Sequence, residues 1–361
     1  MVMSLSQRAA PHTPPVDFNP LTASDEELSG FAIMPRPDRA SDPVGYQYWL
    51  RLFGAPATFV VPQGQEVQAR FLLRPTSPSQ KLLSINGASR YQTSRNWSGA
   101  YIVPTDATKF VLVAGQWTIP KLAPPSVSQE PGTNEYVCST WVGLDGQRRY
   151  LNSSLPQAGT MQTLTVDGES QQTSAIAFFQ WWDVETGGTF LHLTGLPVKP
   201  GDEMVCAVWA QSATRAIGYL RNDSTRQMAI VSASAPFVAL GKNPPVELMI
   251  SGGTAEWVLE RPMVFGESSL YAFPNFGTTT FTCWAGAARS SGSPQVWHDL
   301  RQARFIRLYE ARNSRLHTAF LSMPAKLRGD DQVEVHYGTV WKVRPPLLDS
   351  EKATRPSSNS G

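Results

Sequence analysis

Between Tyr91 and His336 the chain is a long succession of short apolar and aromatic segments, each closed by residues that favour turns. This rhythm constrains the fold more than any single motif. Strands are expected over 96–103, 110–119, 136–144, 161–166, 175–182, 190–193, 203–209, 217–220, 254–260, 277–283, 305–310, 316–321 and 333–336. Their separators include Asp167-Gly168, Pro200-Gly201-Asp202, Asn222-Asp223 and Gly329-Asp330, all good turn formers. Short strands at this spacing, with no helical segments between them, imply an all-β sandwich or barrel. Composition agrees, with Trp 11, Phe 16 and Tyr 10 set among Gly 27 and Pro 29, the pattern of many short aromatic strands. One segment is ambiguous: in Gln302–Ala311, residues Phe305, Ile306, Leu308 and Tyr309 also fit a helical period, and strand is the favoured reading.

The ends read differently. Residues 1–40 are rich in Pro, Ser and acidic residues and carry few periodic apolar positions, so a disordered arm is expected. Over 41–90, Tyr46–Phe53 and Val67–Leu73 are expected as strands joined by a turn at Pro62-Gln63-Gly64. This small extension is too short for a core of its own and is expected to pack on the β-rich body C-terminal to it. That body comprises residues 91–340, and 341–361 form a loose tail.

Several function classes are excluded or given no support. With net charge +2 and 17% charged residues, nothing in the balance calls for nucleic acid or a membrane surface. No segment approaches the roughly 18 apolar residues of a membrane span. The first ten residues have no apolar core, so no secretory leader is expected from them. Cys138, Cys206 and Cys283 fit no metal-ligand spacing and are expected as buried free thiols, with one disulfide and a spare thiol as the alternative. The five His are scattered, no Gly-x-Ser-x-Gly elbow occurs, and no glycine loop suits phosphate. No cofactor and no metal are expected.

Carboxylates and amides remain. In Ala255–Glu260, alternation places Glu256, Val258 and Glu260 on one face and Ala255, Trp257 and Leu259 on the other. Two acids on a strand ordinarily mark a solvated face. In Ala175–Trp182, residues Phe178, Gln180 and Trp182 share one face while Phe179 and Trp181 share the other, which suits either a core strand or an aromatic ligand cleft. Gln157 lies between Pro156 and Ala158-Gly159 and is expected in a loop.

Taken in order, these segments resemble the glutamic peptidases (eqolisins, peptidase family G1). Asn96-Trp-Ser-Gly-Ala100 resembles the family's opening strand, and Gln116-Trp-Thr-Ile-Pro120 its strand ending in Val-Pro. Trp141-Val-Gly-Leu-Asp-Gly146 is similar to Trp-Val-Gly-Ile-Asp-Gly, and Leu155-Pro-Gln-Ala-Gly159 to Leu-Gln-Thr-Gly. Phe178-Phe-Gln-Trp-Trp182 stands where the family has Trp-Tyr-Glu-Trp-Tyr, and Ala255-Glu-Trp-Val-Leu-Glu260 where it has Ala-Glu-Trp/Phe-Ile-x-Glu. The resemblance spans about residues 91–340.

What the resemblance implies is a lectin-like (concanavalin A-like) sandwich of two antiparallel sheets, with a mostly irregular N-terminal extension. It implies an acid-acting endopeptidase with Gln157 and Glu260 as the catalytic pair. Trp97, Trp141, Asp145, Phe178 and Gln180 are then expected to bind substrate. A carboxylate can exchange a proton with water and with the leaving amine, while an amide offers both an acceptor for the water and a donor for the oxyanion. The expected partner is a polypeptide substrate, with no nucleic acid and no membrane, and the expected state is a monomer. Family members are typically secreted. The N-terminal part is expected as a pro-segment, cut near Ser94-Arg95. Gln180 departs from the family Glu, and Pro156 stands beside the catalytic Gln. A non-catalytic lectin-like module that binds sugar or peptide is the alternative. A carboxylate-pair glycosidase would need two acids flanking one bond.

Overall fold

The computed structural model describes residues 3–68, 71–72, 91–125, 134–146, 154–182, 189–238, 246–264, 269–290, 292–311, 318–326 and 329–338. In chain order the principal strands are β1 (Trp97–Ile102), β2 (Lys109–Thr118), β3 (Glu135–Leu144), β4 (Leu155–Asp167) and β5 (Ser170–Trp182). They continue with β6 (Thr189–Leu193), β7 (Glu203–Ser212), β8 (Arg215–Asn222), β9 (Gln227–Ser234) and β10 (Ala255–Glu260). The last are β11 (Thr278–Ala288), β12 (Arg304–Ala311), β13 (Thr318–Lys326) and β14 (Gln332–Tyr337). Pairing runs β9-β8-β7-β2-β11-β14-β13-β12-β1-β10-β3-β4-β5-β6, antiparallel at every step.

This ribbon folds back on itself, so that β2, β7 and β8 lie across β3, β4 and β10. The result is the expected all-β sandwich, its two antiparallel layers joined along one side by β12, β13 and β14. Trp257 on β10 donates through Nε1 to the Ala114 carbonyl of β2 at 2.7 Å, a hydrogen bond across the two layers. Val142, Ala158, Phe179, Trp181, Cys206 and Ala216 are among the residues that fill the space between them. The Asp167-Gly168 turn is where composition placed it: Gly168 has φ +58° and Asp167 pairs with Ser170, a left-handed position that suits glycine. Cys138, Cys206 and Cys283 are free and buried, and burial pushes their thiols up.

The N-terminal extension differs from expectation. Tyr46–Phe53 is not a strand but most of helix α1 (Pro43–Phe53). Its alternation suits either period, and the start signal decides. Asp42 caps the helix by accepting from the Gly45 N–H at 2.8 Å, and Pro43 occupies the first turn, where its missing N–H costs nothing. Trp49, Leu52 and Phe53 are then buried on one helical face. Residues 20–40, expected from composition to be disordered, place Leu28, Ile33 and Met34 in the same cluster. That cluster covers the outer face of β2, β7, β8 and β9 through Leu112, Val205, Trp209, Tyr219 and Ile230. The β8 hydroxyl of Tyr219 donates to the Ala32 carbonyl at 2.7 Å and accepts from the Met34 N–H at 3.1 Å. Trp49 Nε1 donates to the Met34 carbonyl at 2.9 Å. Ala9–His12 adds a further strand beside β9. Composition misses this because an outer sheet face supplies the apolar surface that a short arm lacks.

Farther on, Gly64–Gln68 pairs with β6 and Phe71–Leu72 with Met263–Val264, so the extension passes from the back of the sandwich to the lip of its other face. The expected tail at 341–361, and most of the stretch from 69 to 90, lie outside the described residues.

Burying a side chain such as Leu or Phe contributes about 1.5–3 kcal/mol, so the α1 layer belongs to the cooperative fold. Trp49→Ala is expected to lower the unfolding free energy by about 3–5 kcal/mol, measured by urea denaturation. A loss below about 1 kcal/mol would show that the N-terminal layer folds separately.

Candidate active site

Five neighbouring strands build one face of the second layer, and register fixes what they present. Glu260 on β10 lies opposite Trp97 of β1 and Ser139 of β3, and Ser139 lies opposite Met161 of β4. Val258 lies opposite Gly99 and Trp141, then Gly159 and Phe178 follow on β4 and β5. Glu256 lies opposite Tyr101 and Gly143, then Gln157 and Gln180 follow. Because side chains alternate along a strand, these three rows share one face, and Trp257, Leu259, Val142, Ala158 and Phe179 turn into the sandwich core. Gln157 and Glu260 therefore sit on the same face, with β3 between their strands and an offset of one row on either side of Trp141.

Gln157 is in β4 rather than in a loop. Pro156 is tolerated there because the β3–β4 ladder ends at the Gly143–Gln157 pair, leaving Pro156 beside β5 alone, where it faces Trp181. A proline that starts a strand removes no ladder bond on its open side. Gly143 keeps the row open: a Cβ there would come within 2.8 Å of Leu155 Cδ1 and 3.3 Å of Gln157 Cβ.

Glu260 is fully buried. Its Oε1 accepts from Asn96 Nδ2 at 2.9 Å and its Oε2 from Trp141 Nε1 at 2.9 Å. Burial pushes its carboxyl up to about 8, because a charge in an apolar surrounding loses hydration. The Trp141 and Asn96 donors oppose that rise; the indole of Trp97 acts the same way, although it falls short of hydrogen-bond geometry. Trp97 and Trp141 pack edge to face, with ring centroids 5.1 Å apart.

Gln157 Nε2 donates to Gln180 Oε1 at 2.7 Å, and Gln180 Nε2 donates to the Thr189 carbonyl at 3.2 Å. Gln157 Oε1 is buried and has no partner among the described residues. So the amide is held by its nitrogen, and its acceptor is left for something else. Gln180 stays neutral at every accessible pH, so this orientation does not titrate. Phe178, also buried, packs on Phe190 with ring centroids 5.8 Å apart.

Asp145 is placed differently from the others. Its carboxylate accepts from the Ser251 N–H at 2.6 Å, the Ser251 hydroxyl at 2.7 Å and the Gly253 N–H at 2.8 Å. It clamps the loop that leads into β10, in a left-handed conformation at φ 67°. Burial raises its carboxyl, against the pull of those donors. Sequence reasoning misses Asn96 and Ser139 as members of the Glu260 surroundings. The Asn96-Trp97 dipeptide is legible as a motif, but only the pairing register brings it to Glu260.

The family model described as the Peptidase A4 family matches residues 95–337. Aspergillopepsin-2 of Aspergillus niger is 27% identical over 229 residues, covering 60% of this chain and 72% of that protein. Among solved structures, scytalido-glutamic peptidase with a transition state analog inhibitor is 19% identical, with a TM-score of 0.47, covering 67% of this chain and 98% of that one. Aspergilloglutamic peptidase from Aspergillus niger is 23% identical, with a TM-score of 0.37, covering 56% and 99%. The chain belongs to the Peptidase A4 family and is a glutamic-type endopeptidase, a hydrolase.

The raised Glu260 carboxyl links stability to pH. The unfolded carboxyl titrates near 4.5 and the folded one near 8, so between these values the folded state holds the extra proton. Stability from this group is therefore fully present below about 4.5 and is lost as pH rises through 8. The expected outcome is a melting temperature that falls between pH 5 and 8 in the wild type and falls less in Glu260→Gln. Parallel curves for the two proteins would show that Glu260 is ionised in the folded state across this range.

Proposed function

We propose that the protein is an acid-acting endopeptidase in which Gln157 and Glu260 act on one water molecule. The substrate is an extended segment of polypeptide laid across the face that carries Trp97, Trp141 and Phe178. The observation that carries this reading is a buried carboxyl, held by Asn96 and Trp141, on the same face as an amide whose oxygen has no partner among the described residues.

In this reading Gln157 Oε1 orients the water, and Glu260, which burial keeps protonated at acid pH, gives its proton to the scissile carbonyl oxygen and takes one from the water as it attacks. The second N–H of Gln157, the one not given to Gln180, meets the tetrahedral oxygen. Glu260 then gives its proton to the leaving amine and recovers one from the tetrahedral hydroxyl as the carbonyl re-forms, so the carboxyl ends as it began. Asn96 and Trp141 stabilise the carboxylate phase of that cycle, while burial favours the protonated phase. Holding both forms within reach is what a group that shuttles one proton requires.

The test is digestion of casein between pH 2 and 5 by wild type, Glu260→Gln and Gln157→Ala. Loss of the proton carrier or of the oxyanion donor each costs about a hundredfold or more in rate. Cleavage that stays undiminished in either variant removes that residue from the mechanism, and a rate independent of pH from 3 to 8 removes the acid optimum.

A further inference from the structure

Ser94 heads a relay that ends on Glu260. Its Oγ accepts from the Asn96 N–H at 3.3 Å and the Trp97 N–H at 3.1 Å, and donates to Asn96 Oδ1 at 3.0 Å. Asn96 Nδ2 in turn donates to Glu260 Oε1 at 2.9 Å. All three side chains are buried. An amide has one accepting and one donating end of nearly equal size. Asn96 favours the Glu260 carboxylate only with its NH2 turned toward it, and the reverse orientation would set two acceptors face to face. Ser94 makes the choice: two backbone N–H groups take up its acceptor side, so its own proton goes to Asn96 Oδ1, which leaves Nδ2 for Glu260.

We propose that Ser94 is a positioning residue for Glu260, acting through the Asn96 amide to keep a donor on the carboxylate. Its own place is fixed by the short strand Tyr91–Ser94, which pairs in parallel with β12 and sets Ser94 against Leu308. Among the described residues, the ionisable groups on the strands beside Glu260 include Glu256 and Tyr101, paired in the row beyond Val258, and the exposed Arg95. Arg261 is next in sequence, with its guanidinium given to the Tyr271 carbonyl and Glu310.

The catalytic consequence rests on the functional reading above, but the relay is testable apart from it. The full chain, labelled at its glutamate carboxyl carbons, is titrated by NMR, and the Glu260 signal is identified by its loss in Glu260→Gln. Ser94→Ala and Asn96→Ala are each expected to move the Glu260 midpoint up by roughly half to one pH unit. The double variant moves it no further than Asn96→Ala alone, since Ser94 acts only through Asn96. Ser94→Thr, which keeps the hydroxyl, restores the wild-type midpoint. Should Ser94→Ala not fold, Ser94→Cys, a weaker donor of similar size, is expected to give an intermediate shift. Additive shifts, or an unmoved midpoint in a folded Ser94 variant, overturn the relay. If Glu260→Gln keeps peptidase activity while the midpoints move, the functional reading falls and the relay stands. If Glu260→Gln is inactive and the midpoints stay, the relay alone falls.

Discussion

A strand with both faces buried is the constraint around which this molecule is arranged. On β10 one face carries Trp257 and Leu259 into the sandwich core. The opposite face carries two carboxyls, Glu256 and Glu260, that are equally buried. Such a strand is stable only where the polar face finds partners. The neighbours supply them: Thr254 donates to Glu256 Oε1 at 2.8 Å, and Asn96 and Trp141 donate to Glu260. Asp145 fixes the loop that enters the strand through Ser251 and Gly253. The site is thus a by-product of satisfying β10, and its geometry is as rigid as the sheet.

The N-terminal extension does two different things. Residues 18–59 cover the back of the sandwich, where Tyr219 exchanges hydrogen bonds with Ala32 and Met34. Its next part reaches the site side, where Gly64–Gln68 extends the sheet beside β6 and Val67 packs against the apolar cluster of Trp97, Trp141 and Phe178. A segment removed as one piece would uncover the outer face of β7 and β8 together with the site. The expectation of a simple pro-segment treats these parts alike, whereas their contacts differ in kind: one completes a core, the other borders the face that carries Gln157 and Glu260.

How much of the molecule is legible in the sequence depends on how local each signal is. The strand rhythm and the turns are local, and the sandwich follows from them. The face shared by Glu256 and Glu260 follows from alternation alone. Helix α1 escapes a sequence reading because Tyr46–Phe53 alternates as well as it spirals, and β-rich surroundings outweigh the Asp42-Pro43 start signal. Gln157 reads as a loop residue because Pro156 ordinarily breaks strands; only the end of the β3 ladder explains why it does not. Asn96 is visible as part of a motif but acquires no role from it, since its contact with Glu260 spans 164 residues of sequence and depends on register.

The exchange of a family Glu for Gln180 is best judged by what its position asks for. The side chain must accept from Gln157 Nε2 and donate to the Thr189 carbonyl. A protonated Glu can do both, through its carbonyl oxygen and its hydroxyl. An ionised one can only accept, and it would set a charge against the Thr189 oxygen. Gln does both regardless of pH, because it has no proton to lose. The substitution therefore keeps the aim of the Gln157 amide while removing its dependence on acid. Glu260 and the donors around it, among them the one that Ser94 holds in place, then contribute to the pH response of the site.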